Sequence, residues 1–372
     1  MQPLSIVIAG MVAGHPGQGG AAWAVLQYVL GLRALGHKVT LIEPVVDLAD
    51  GSEACFEKLV NAFGLRGEAA LVVKGSGRTL GLSRPALIDR VRAADVLLNI
   101  SGMLRDLDLA DPIPRRVFLD LDPAFNQIWH LQGADMGFDG HTHFVTVAMN
   151  MAAPGCTVPD CGRKWITTLQ PVCLERWPVA DGIVHDGLTT VGHWRSYGSV
   201  THEGVFYGQK AHSWREVIDL PRRIAEPCLP AVAIHADEVT DLAALRDAGW
   251  QLLDPAALCG SPADYQAFVQ GSKAELAIAK QGYVMSRSGW FSDRSVCYLA
   301  SGRPVIAHDT GFAAHLPTGE GLFSFTTAVD VAAAVESLRA DYPAQRRRAR
   351  EIAETHFDAR TVLPALVEQV MA

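Results

Sequence analysis

The feature that most constrains the fold is a regular alternation of short apolar runs with helical segments. The chain opens with an apolar run at residues 4–9, a loop, a helical segment over 21–35 and a second apolar run at 38–42. Such a unit places two parallel strands side by side with the helix across one face. Further apolar runs lie at 94–100 and 116–121. This part of the chain therefore predicts a parallel sheet covered by helices on both faces.

A second series of the same kind follows a break between residues 165 and 186, where prolines and glycines interrupt the alternation. Apolar runs then return at 188–191, 231–234, 250–253 and 274–279. A chain of 372 residues is also longer than one hydrophobic core usually serves. We therefore predict two similar α/β domains, over residues 1–178 and 179–343.

Charge and composition narrow the class of function. The formal net charge is −8, and no apolar run approaches the ~18 residues that a bilayer span needs. An acidic chain has no general attraction for nucleic acid or anionic lipid, so we expect neither nucleic acid nor a membrane as a partner. The seven cysteines are scattered and odd in number, and the N-terminus lacks a basic, apolar leader. These features favour a reducing, cytoplasmic location.

The segment 288–311 predicts a helix whose beginning suits an anion. Ser292 is a good N-cap, and a glycine and a proline end the helix before a short apolar run. The first turn of a helix has free N–H groups, here around Ser295, and partial positive charge, to which Arg294 adds. Asp293 would repel a phosphate, so it either stabilises the helix start or binds hydroxyl groups. The segment suggests a nucleotide-sugar site, although a plain capped helix has the same sequence.

Two further cations are expected at the same edge of the second sheet. Arg195 follows the first apolar run of the second series, just after Gly192, and Lys280 follows the run at 274–279. Because the carboxyl ends of parallel strands meet at one edge, both side chains should lie near Arg294. Three cations and a helix N-terminus would compensate a diphosphate without a metal.

The loop after the first apolar run contains Gly17, Gly19 and Gly20, which let the backbone approach a ligand closely. It also matches the dinucleotide fingerprint G-x-G-x-x-A, with Glu43 about where the ribose-binding acid belongs. Several extra residues separate the strand from the first glycine, which favours an open loop over a tight pyrophosphate turn. An oxidoreductase that uses NAD(P) or a flavin remains an alternative.

Three residues are candidates for acid–base chemistry at the edge of the first sheet. His15 lies in the glycine loop, and Asp120 and Asp122 follow the apolar run at 116–121. A histidine has a pKa suited to taking a proton from an acceptor hydroxyl, and the carboxylates would activate that hydroxyl or orient the imidazole. The alternative is a solvated loop histidine and an aspartate that caps the next helix.

Two cysteines and two histidines raise the question of a metal. Cys156 and Cys161 are the only close pair of cysteines, and His141 and His143 lie nearby in sequence. Their spacing matches no standard zinc pattern, so we expect a glycine- and proline-rich loop that holds two thiols, and no metal.

Three of these motifs together resemble the GT-B glycosyltransferases over nearly the full length of the chain. The glycine loop and its helix are similar to the start of the acceptor domain. The stretch from Gly192 to Arg195 is similar to the glycine–arginine pair after the first donor-domain strand. The stretch from Gly302 to Ile306 is similar to the donor-domain signature.

The resemblance implies two Rossmann-like domains that face each other across a cleft, with C-terminal helices, residues 344–372, that pack toward the first domain. It also implies a nucleotide-diphosphate-sugar donor on the second domain and no metal cofactor. The acceptor would lie on the first domain near the glycine loop, and His15 or Asp122 would act as the base if the reaction inverts.

The chain departs from the family at two places. Retaining members often have two glutamates eight residues apart, where this chain has Gly289 and Cys297. The lysine that follows the family's arginine is also missing, and the next lysine is Lys210. We predict a hexosyltransferase-like glycosyltransferase, with the nucleotide, sugar, acceptor, stereochemistry and oligomeric state open. A sugar-nucleotide epimerase and a noncatalytic nucleotide-sugar binder of the same fold remain alternatives.

Overall fold

The computed structural model describes residues 2–14, 16–48 and 51–372. The elements of the first half, in chain order, are β1 (Ser5–Ala9), α1 (Gly19–Ala34), β2 (Lys38–Val45), α2 (Ser52–Ala62), β3 (Ala69–Val73), β4 (Thr79–Gly81), α3 (Arg84–Arg92), β5 (Val96–Ile100), α4 (Leu107–Ala110), β6 (Arg115–Asp120), α5 (Phe125–Leu131), β7 (His143–Thr146) and β8 (Trp165–Thr167). The strands form one sheet in the order β4-β3-β2-β1-β5-β6-β7-β8, with β3 and β4 antiparallel and the other pairs parallel.

The second half repeats this plan on a smaller sheet. Its elements are β9 (His185–His193), β10 (Val200–His202), β11 (Val205–Tyr207), α6 (Lys210–Glu216), β12 (Cys228–Ala233), α7 (Val239–Ala248), α8 (Pro255–Cys259), α9 (Pro262–Gly271), β13 (Ser272–Ala277), α10 (Gln281–Ser286), α11 (Asp293–Ala300), β14 (Val305–His308), β15 (Leu322–Phe325) and α12 (Ala328–Ala340). The parallel sheet has the order β12-β9-β13-β14-β15, and β10 and β11 form a separate antiparallel hairpin. Short 3-10 helices lie at Phe138–Gly140, Leu220–Arg222 and Phe312–Ala314.

Burial explains why these segments are strands. Every residue of β3 and β5 is buried, as is every residue of β1 after the first. A continuous apolar run is the pattern of a strand that helices cover on both faces. The predicted α/β class with two parallel sheets is confirmed.

Of the last two helices, α13 (Tyr342–His356) packs on α11 of the second half, and α14 (Ala359–Met371) crosses back to the first half. The predicted return to the first half is therefore made by α14. The backbone of Val172 pairs with Phe357 and Ala359 where the chain crosses over. Beyond this crossing α14 packs on α1 so closely that a Cβ added to Gly31 would lie 2.5 Å from Leu363. The predicted boundary between residues 178 and 179 falls in the extended segment between β8 and β9, and it stays a prediction.

The strand predicted at residues 250–253 is wrong. This segment runs beside β12 and donates two backbone hydrogen bonds to it, from Gln251 to Cys228 and from Leu253 to Pro230. Pro230 has no N–H to donate in return, so the ladder cannot continue and β12 becomes an edge strand.

The two halves are joined by a shared apolar core. Trp23 of α1 packs on Trp177, with ring centroids 4.9 Å apart, and donates from its indole nitrogen to the carbonyl of Pro262 at 2.8 Å. Tyr265 of α9 makes an edge contact with Trp177, with ring centroids 6.2 Å apart. Within the described part of the chain, no helix is long and apolar enough to cross a membrane.

Candidate functional site

The predicted helix at residues 293–300 is confirmed as α11. The hydroxyl of Ser292 accepts a hydrogen bond from the backbone N–H of Arg294 at 3.3 Å, which is an N-cap. Gly302 follows with φ of 66°, the left-handed conformation that ends a helix, and β14 begins shortly after. Ser295, in the first turn, is 1% exposed, and its hydroxyl has no partner among the described residues. The helix therefore offers an anion the free end that the sequence predicts.

Arg294 lies almost buried beside this helix end, with 13% of its side chain exposed. Its Nε donates to the carboxylate of Glu275, a fully buried residue of β13. Burial alone would lower the pKa of Arg294, but the charge of Glu275 outweighs burial and raises that pKa above its ordinary value. Of the guanidinium nitrogens, only Nε has a partner among the described residues, so the terminal nitrogens remain for a ligand.

Lys210 is a site residue that sequence reasoning missed as a donor ligand. It begins α6, is only 8% exposed, and has no side-chain hydrogen bond or ion pair to the residues that the structure describes. Its amine lies against Gly192 of β9, where an added Cβ would be 2.7 Å from Nζ. Burial first, and then the charges of Arg294 and Lys280, hold the pKa of Lys210 well below its usual range. A buried cation without a partner marks a place where a ligand can supply the countercharge.

The hairpin β10–β11 explains why Lys210 was missed. It separates the lysine along the chain from the strand whose end it occupies in space. The only signal in the sequence was that Lys210 is the first lysine after Arg195. Gly192, predicted as a donor-binding residue, lies against the Lys210 amine, and its role stays a prediction.

Lys280 joins the second half to the first through Asp122. Its ammonium donates to the Asp122 carboxylate at 2.7 Å and to the hydroxyls of Tyr197 and Tyr283 at 2.5 and 3.2 Å. Both tyrosine hydroxyls also donate to Asp122. Burial would raise the pKa of Asp122, but Lys280 and the two hydroxyls outweigh it and hold the pKa below its ordinary value. While this pair lasts, Asp122 is ionised and a weak proton acceptor.

Asp120 is held entirely by the protein. Its Oδ1 accepts from the side chain of Asn126 at 2.6 Å and the amide of Asp122 at 3.1 Å. Its Oδ2 accepts from Gln127 and Thr146, each at 2.8 Å. Burial raises the pKa of Asp120 to about 6 despite these bonds. With both oxygens occupied, Asp120 shapes the loop after β6 and turns no free oxygen toward a substrate.

The three cations expected from the sequence are not all brought together. Lys280 and Arg294 both lie close enough to Lys210 to lower its pKa. Arg195 follows β9 as predicted, but its guanidinium pairs with Glu238 at the start of α7. Asp293 is half-buried at the first position of α11, where burial raises its pKa and Arg294 partly offsets that rise. Lys210 thus occupies the position that the sequence assigned to Arg195.

The glycine loop contacts the second half of the molecule. A Cβ added to Gly19 would lie 2.1 Å from the carbonyl oxygen of Ser261, and one added to Gly20 would lie 2.9 Å from the ring of Tyr265. These glycines let α1 approach the turn between α8 and α9. Gly17 has φ of 92° with open space around its Cβ position. The candidate base His15 lies outside the described residues.

Glu43 has a structural explanation that does not involve a ribose. Its carboxylate is buried and accepts hydrogen bonds from the amides of Ala13 and Gly14 at 2.8 and 3.0 Å. It therefore holds the loop after β1 in shape, which weakens the dinucleotide interpretation of that loop.

Two of the residues considered for zinc, His141 and Cys161, make hydrogen bonds elsewhere. The ring of His141 contacts the carbonyl oxygen of Gly137 at 2.6 Å and the side chain of Asn99 at 3.0 Å. The thiol of Cys161 donates to the carbonyl of Gln127 at 3.4 Å. Among the described residues, no three histidine, cysteine or acidic side chains are grouped as metal ligands would be.

Two parallel sheets joined at their carboxyl edges, with terminal helices that cross back, define the GT-B fold. No family model and no curated protein sequence matches the chain. Solved structures do match over its full length. They include an α-glucosyltransferase in complex with UDP and DNA containing an HMU base, with 12% identity, 100% of both chains covered and a TM-score of 0.66.

Two bacterial structures are also similar. HepE of Anabaena, in complex with UDP and glucose, has 11% identity and a TM-score of 0.60, with 99% of both chains covered. A glycosyltransferase from Rickettsia africae has 11% identity and a TM-score of 0.54, with 99% of this chain and 98% of that chain covered. At such low identity the likeness shows a shared fold, and the predicted GT-B architecture is confirmed.

The prediction that nucleic acid is excluded as a partner is wrong. The α-glucosyltransferase that shares this fold is solved with DNA containing an abasic site, an HMU base or a mismatch. The exclusion was based on a net charge of −8, which describes the whole chain. Binding depends on the local charge of one surface, so neither the fold nor the total charge excludes nucleic acid.

Proposed function

We propose that the protein is a glycosyltransferase that moves a sugar from a nucleoside-diphosphate donor to a hydroxyl or amine acceptor. The observation that carries the proposal is Lys210, a nearly buried cation without a partner among the described residues, close to Arg294 and the free end of α11. A diphosphate is the ligand that would satisfy two cations and a helix N-terminus together. The glycosyltransferases of this fold that are solved with UDP make UDP the first nucleotide to test.

The donor phosphates would accept hydrogen bonds from Lys210, Arg294, the first-turn amides of α11 and the hydroxyl of Ser295. In the reaction, the bond between the sugar C1 and the diphosphate oxygen breaks, and a bond from C1 to the acceptor atom forms. The acceptor proton passes to a base, and the nucleoside diphosphate leaves. These cations would stabilise the charge that develops on the leaving diphosphate, so the proposal includes no metal.

Of the bases predicted from the sequence, Asp122 is the one among the described residues that could act in this reaction. In the structure Lys280 forms an ion pair with it across the boundary between the two halves. A donor phosphate that draws Lys280 away would remove this stabilising charge, and the pKa of Asp122 would then rise toward that of a useful base. His15 remains a second candidate from the sequence alone, because it lies outside the described residues. The free cysteines support a reducing compartment such as the cytoplasm.

A thermal-shift screen of nucleoside diphosphates tests the proposal, because a ligand that binds only the native state raises the melting temperature. We expect one nucleoside diphosphate to raise it more than its monophosphate does, and the matching nucleotide sugar to release that diphosphate when an acceptor is supplied. No shift with any nucleoside diphosphate would contradict the proposal, and tight binding of NAD(P) or a flavin would support the oxidoreductase.

The nearer alternatives separate in the same assay. A noncatalytic binder would show the thermal shift but release no nucleoside diphosphate with any acceptor. An epimerase would convert the nucleotide sugar to its isomer without an acceptor.

A further inference from the structure

We propose that Glu275 is a positioning residue that orients Arg294 toward the donor diphosphate. This inference rests on the proposed function, because it names how one of the phosphate ligands is held. It assigns a role to a carboxylate that lies beneath the site and touches no substrate.

The location of Glu275 is unusual for a charged residue. It lies in β13, between β9 and β14 in the second sheet, with a side chain that is 0% exposed. Parallel strands covered on both faces are normally apolar, and a buried charge costs free energy unless it is paired. A buried ion pair is also often no more stable than an apolar pair of similar size, so stability is a weak reason for this one.

The hydrogen bonds of Glu275 fix one edge of the Arg294 guanidinium. Its Oε1 accepts from Nε of Arg294 and, at 3.4 Å, from the hydroxyl of Thr190, while Oε2 has no partner among the described residues. The guanidinium is a rigid planar fork, so an anchored Nε sets the direction of the terminal N–H groups. Those groups have no partner among the described residues.

Anchoring affects affinity through conformational entropy. A long arginine side chain that is mobile before the ligand binds must be ordered on binding, which costs conformational entropy. Glu275 orders it beforehand. The negative charge of Glu275 also repels the phosphate, which weakens binding. Because Nε of Arg294 is anchored, we expect the gain from ordering Arg294 to exceed this repulsion.

The test is a double-mutant cycle on UDP affinity, measured by isothermal titration calorimetry. We expect Glu275→Gln to weaken UDP binding ~10-fold, the scale of one charge-assisted hydrogen bond. We expect the same substitution to have less than a ~2-fold effect in an Arg294→Lys background, where there is no Nε to anchor. A merely structural glutamate would weaken UDP binding equally in both backgrounds.

Glu226→Gln is the matched control. Glu226 is also a buried carboxylate of the second half, and it pairs with Lys273 at 2.8 Å near the start of β13, away from the helix end. We expect this control to lower the unfolding midpoint and to leave the UDP affinity unchanged. If Glu275→Gln does not fold, Glu275→Asp, which keeps the charge but shortens its reach to Nε, is measured in the same cycle with the same expected direction.

The outcomes separate this inference from the proposed function. Wild-type protein that binds no nucleoside diphosphate would overturn both. Wild-type protein that binds UDP, with an affinity unchanged or increased by Glu275→Gln, would overturn the positioning role alone.

Discussion

At the scale of single residues, Lys210 and Asp120 differ in whether the protein supplies partners for a buried ionisable side chain. Lys210 is buried with no partner that the structure describes, and its pKa is held well below its usual range by burial and by neighbouring cations. Asp120 is equally buried, but it receives four hydrogen bonds. Burying the Lys210 amine costs free energy unless a ligand pairs with it, whereas the hydrogen bonds of Asp120 are complete without a ligand.

The pKa of Lys210 predicts that UDP affinity falls as the pH rises. In the free protein the pKa of the Lys210 amine is held well below the usual lysine pKa of roughly 10.4. A bound diphosphate favours the charged amine, so the pKa of Lys210 is higher in the complex than in the free protein. At any pH between these two pKa values, binding takes up a proton. Calorimetry between pH 7 and 9, above the second phosphate pKa of roughly 6, should show this fall. In Lys210→Met, UDP affinity should depend less steeply on pH. An equal pH dependence in that variant would contradict the role of Lys210 as a diphosphate ligand.

The raised pKa of Asp120 predicts an unusual pH dependence of stability. Because its folded pKa of about 6 lies above the unfolded value, the folded state binds the proton more tightly. The free energy of unfolding of the wild type should therefore fall by roughly 2–3 kcal/mol as the pH rises from 4 to 6. This fall is measured relative to the free energy of unfolding of Asp120→Asn. Urea denaturation of both proteins across this range measures it. A difference that grows with pH instead would show that the four hydrogen bonds outweigh burial.

At the scale of elements, α11 was predictable from the sequence and the cationic cluster was not. The cap at Ser292, the stop at Gly302 and the following strand are local signals, so α11 and β14 were confirmed. The hairpin β10–β11 is short, and its residues Val200 and Tyr207 are buried against Phe125 and Tyr283, which are distant in sequence. A tertiary contact of this kind leaves no periodic pattern, so the position of Lys210 could not be predicted.

The contact between Gly192 of β9 and Lys210 of α6 allows a test in which the substitution leaves every charge in place. In Gly192→Ala the new Cβ would lie 2.7 Å from Nζ of Lys210 and would displace the amine. We expect UDP affinity to fall ~10-fold, about 1.4 kcal/mol, with little loss of stability. Gly198→Ala is the matched control, because its Cβ position is open. Equal UDP affinities of the two variants, measured by calorimetry, would mean that the amine does not bind the ligand.

At the scale of the whole molecule, polar contacts close the two halves over the site. Asp122 binds Lys280, and the side chain of Asn150 in the first half donates to the carbonyls of Arg287 and Gly311 in the second. His315 contacts the oxygen of the same asparagine at 2.6 Å. Closure excludes water, which would otherwise hydrolyse an activated donor.

Asn150 predicts a local opening of this boundary. In Asn150→Ala the contacts of its side chain are lost, and we expect faster hydrogen exchange in residues 286–291 and 309–315, measured by mass spectrometry. The matched control is Gln132→Ala, which removes a 2.8 Å hydrogen bond from the residue after α5 to the carbonyl of Thr201 in the hairpin. We expect the control to affect only the hairpin. Unchanged exchange around residues 286–291 in Asn150→Ala would show that the side chain of Asn150 does not hold the boundary closed.

The sequence predicted the two parallel sheets better than it predicted the contacts between the two halves of the molecule. Two series of apolar runs were enough for two parallel sheets, because burial of a strand is visible in its own residues. The glycines of the first loop were assigned to an acceptor, whereas the structure places Gly19 against Ser261 and Gly20 against Tyr265. Both uses require a residue without a side chain, so the sequence could not distinguish them.

Titration of UDP into wild-type protein and Lys210→Met shows whether Lys210 binds the diphosphate of a nucleotide donor. We predict that the variant binds UDP at least ~10-fold more weakly, about 1.4 kcal/mol. We also predict that the ligand-free variant is as stable as wild type or more stable, because an unpaired buried cation is removed. Equal UDP affinities in the two proteins, or no binding by wild type, would contradict the account.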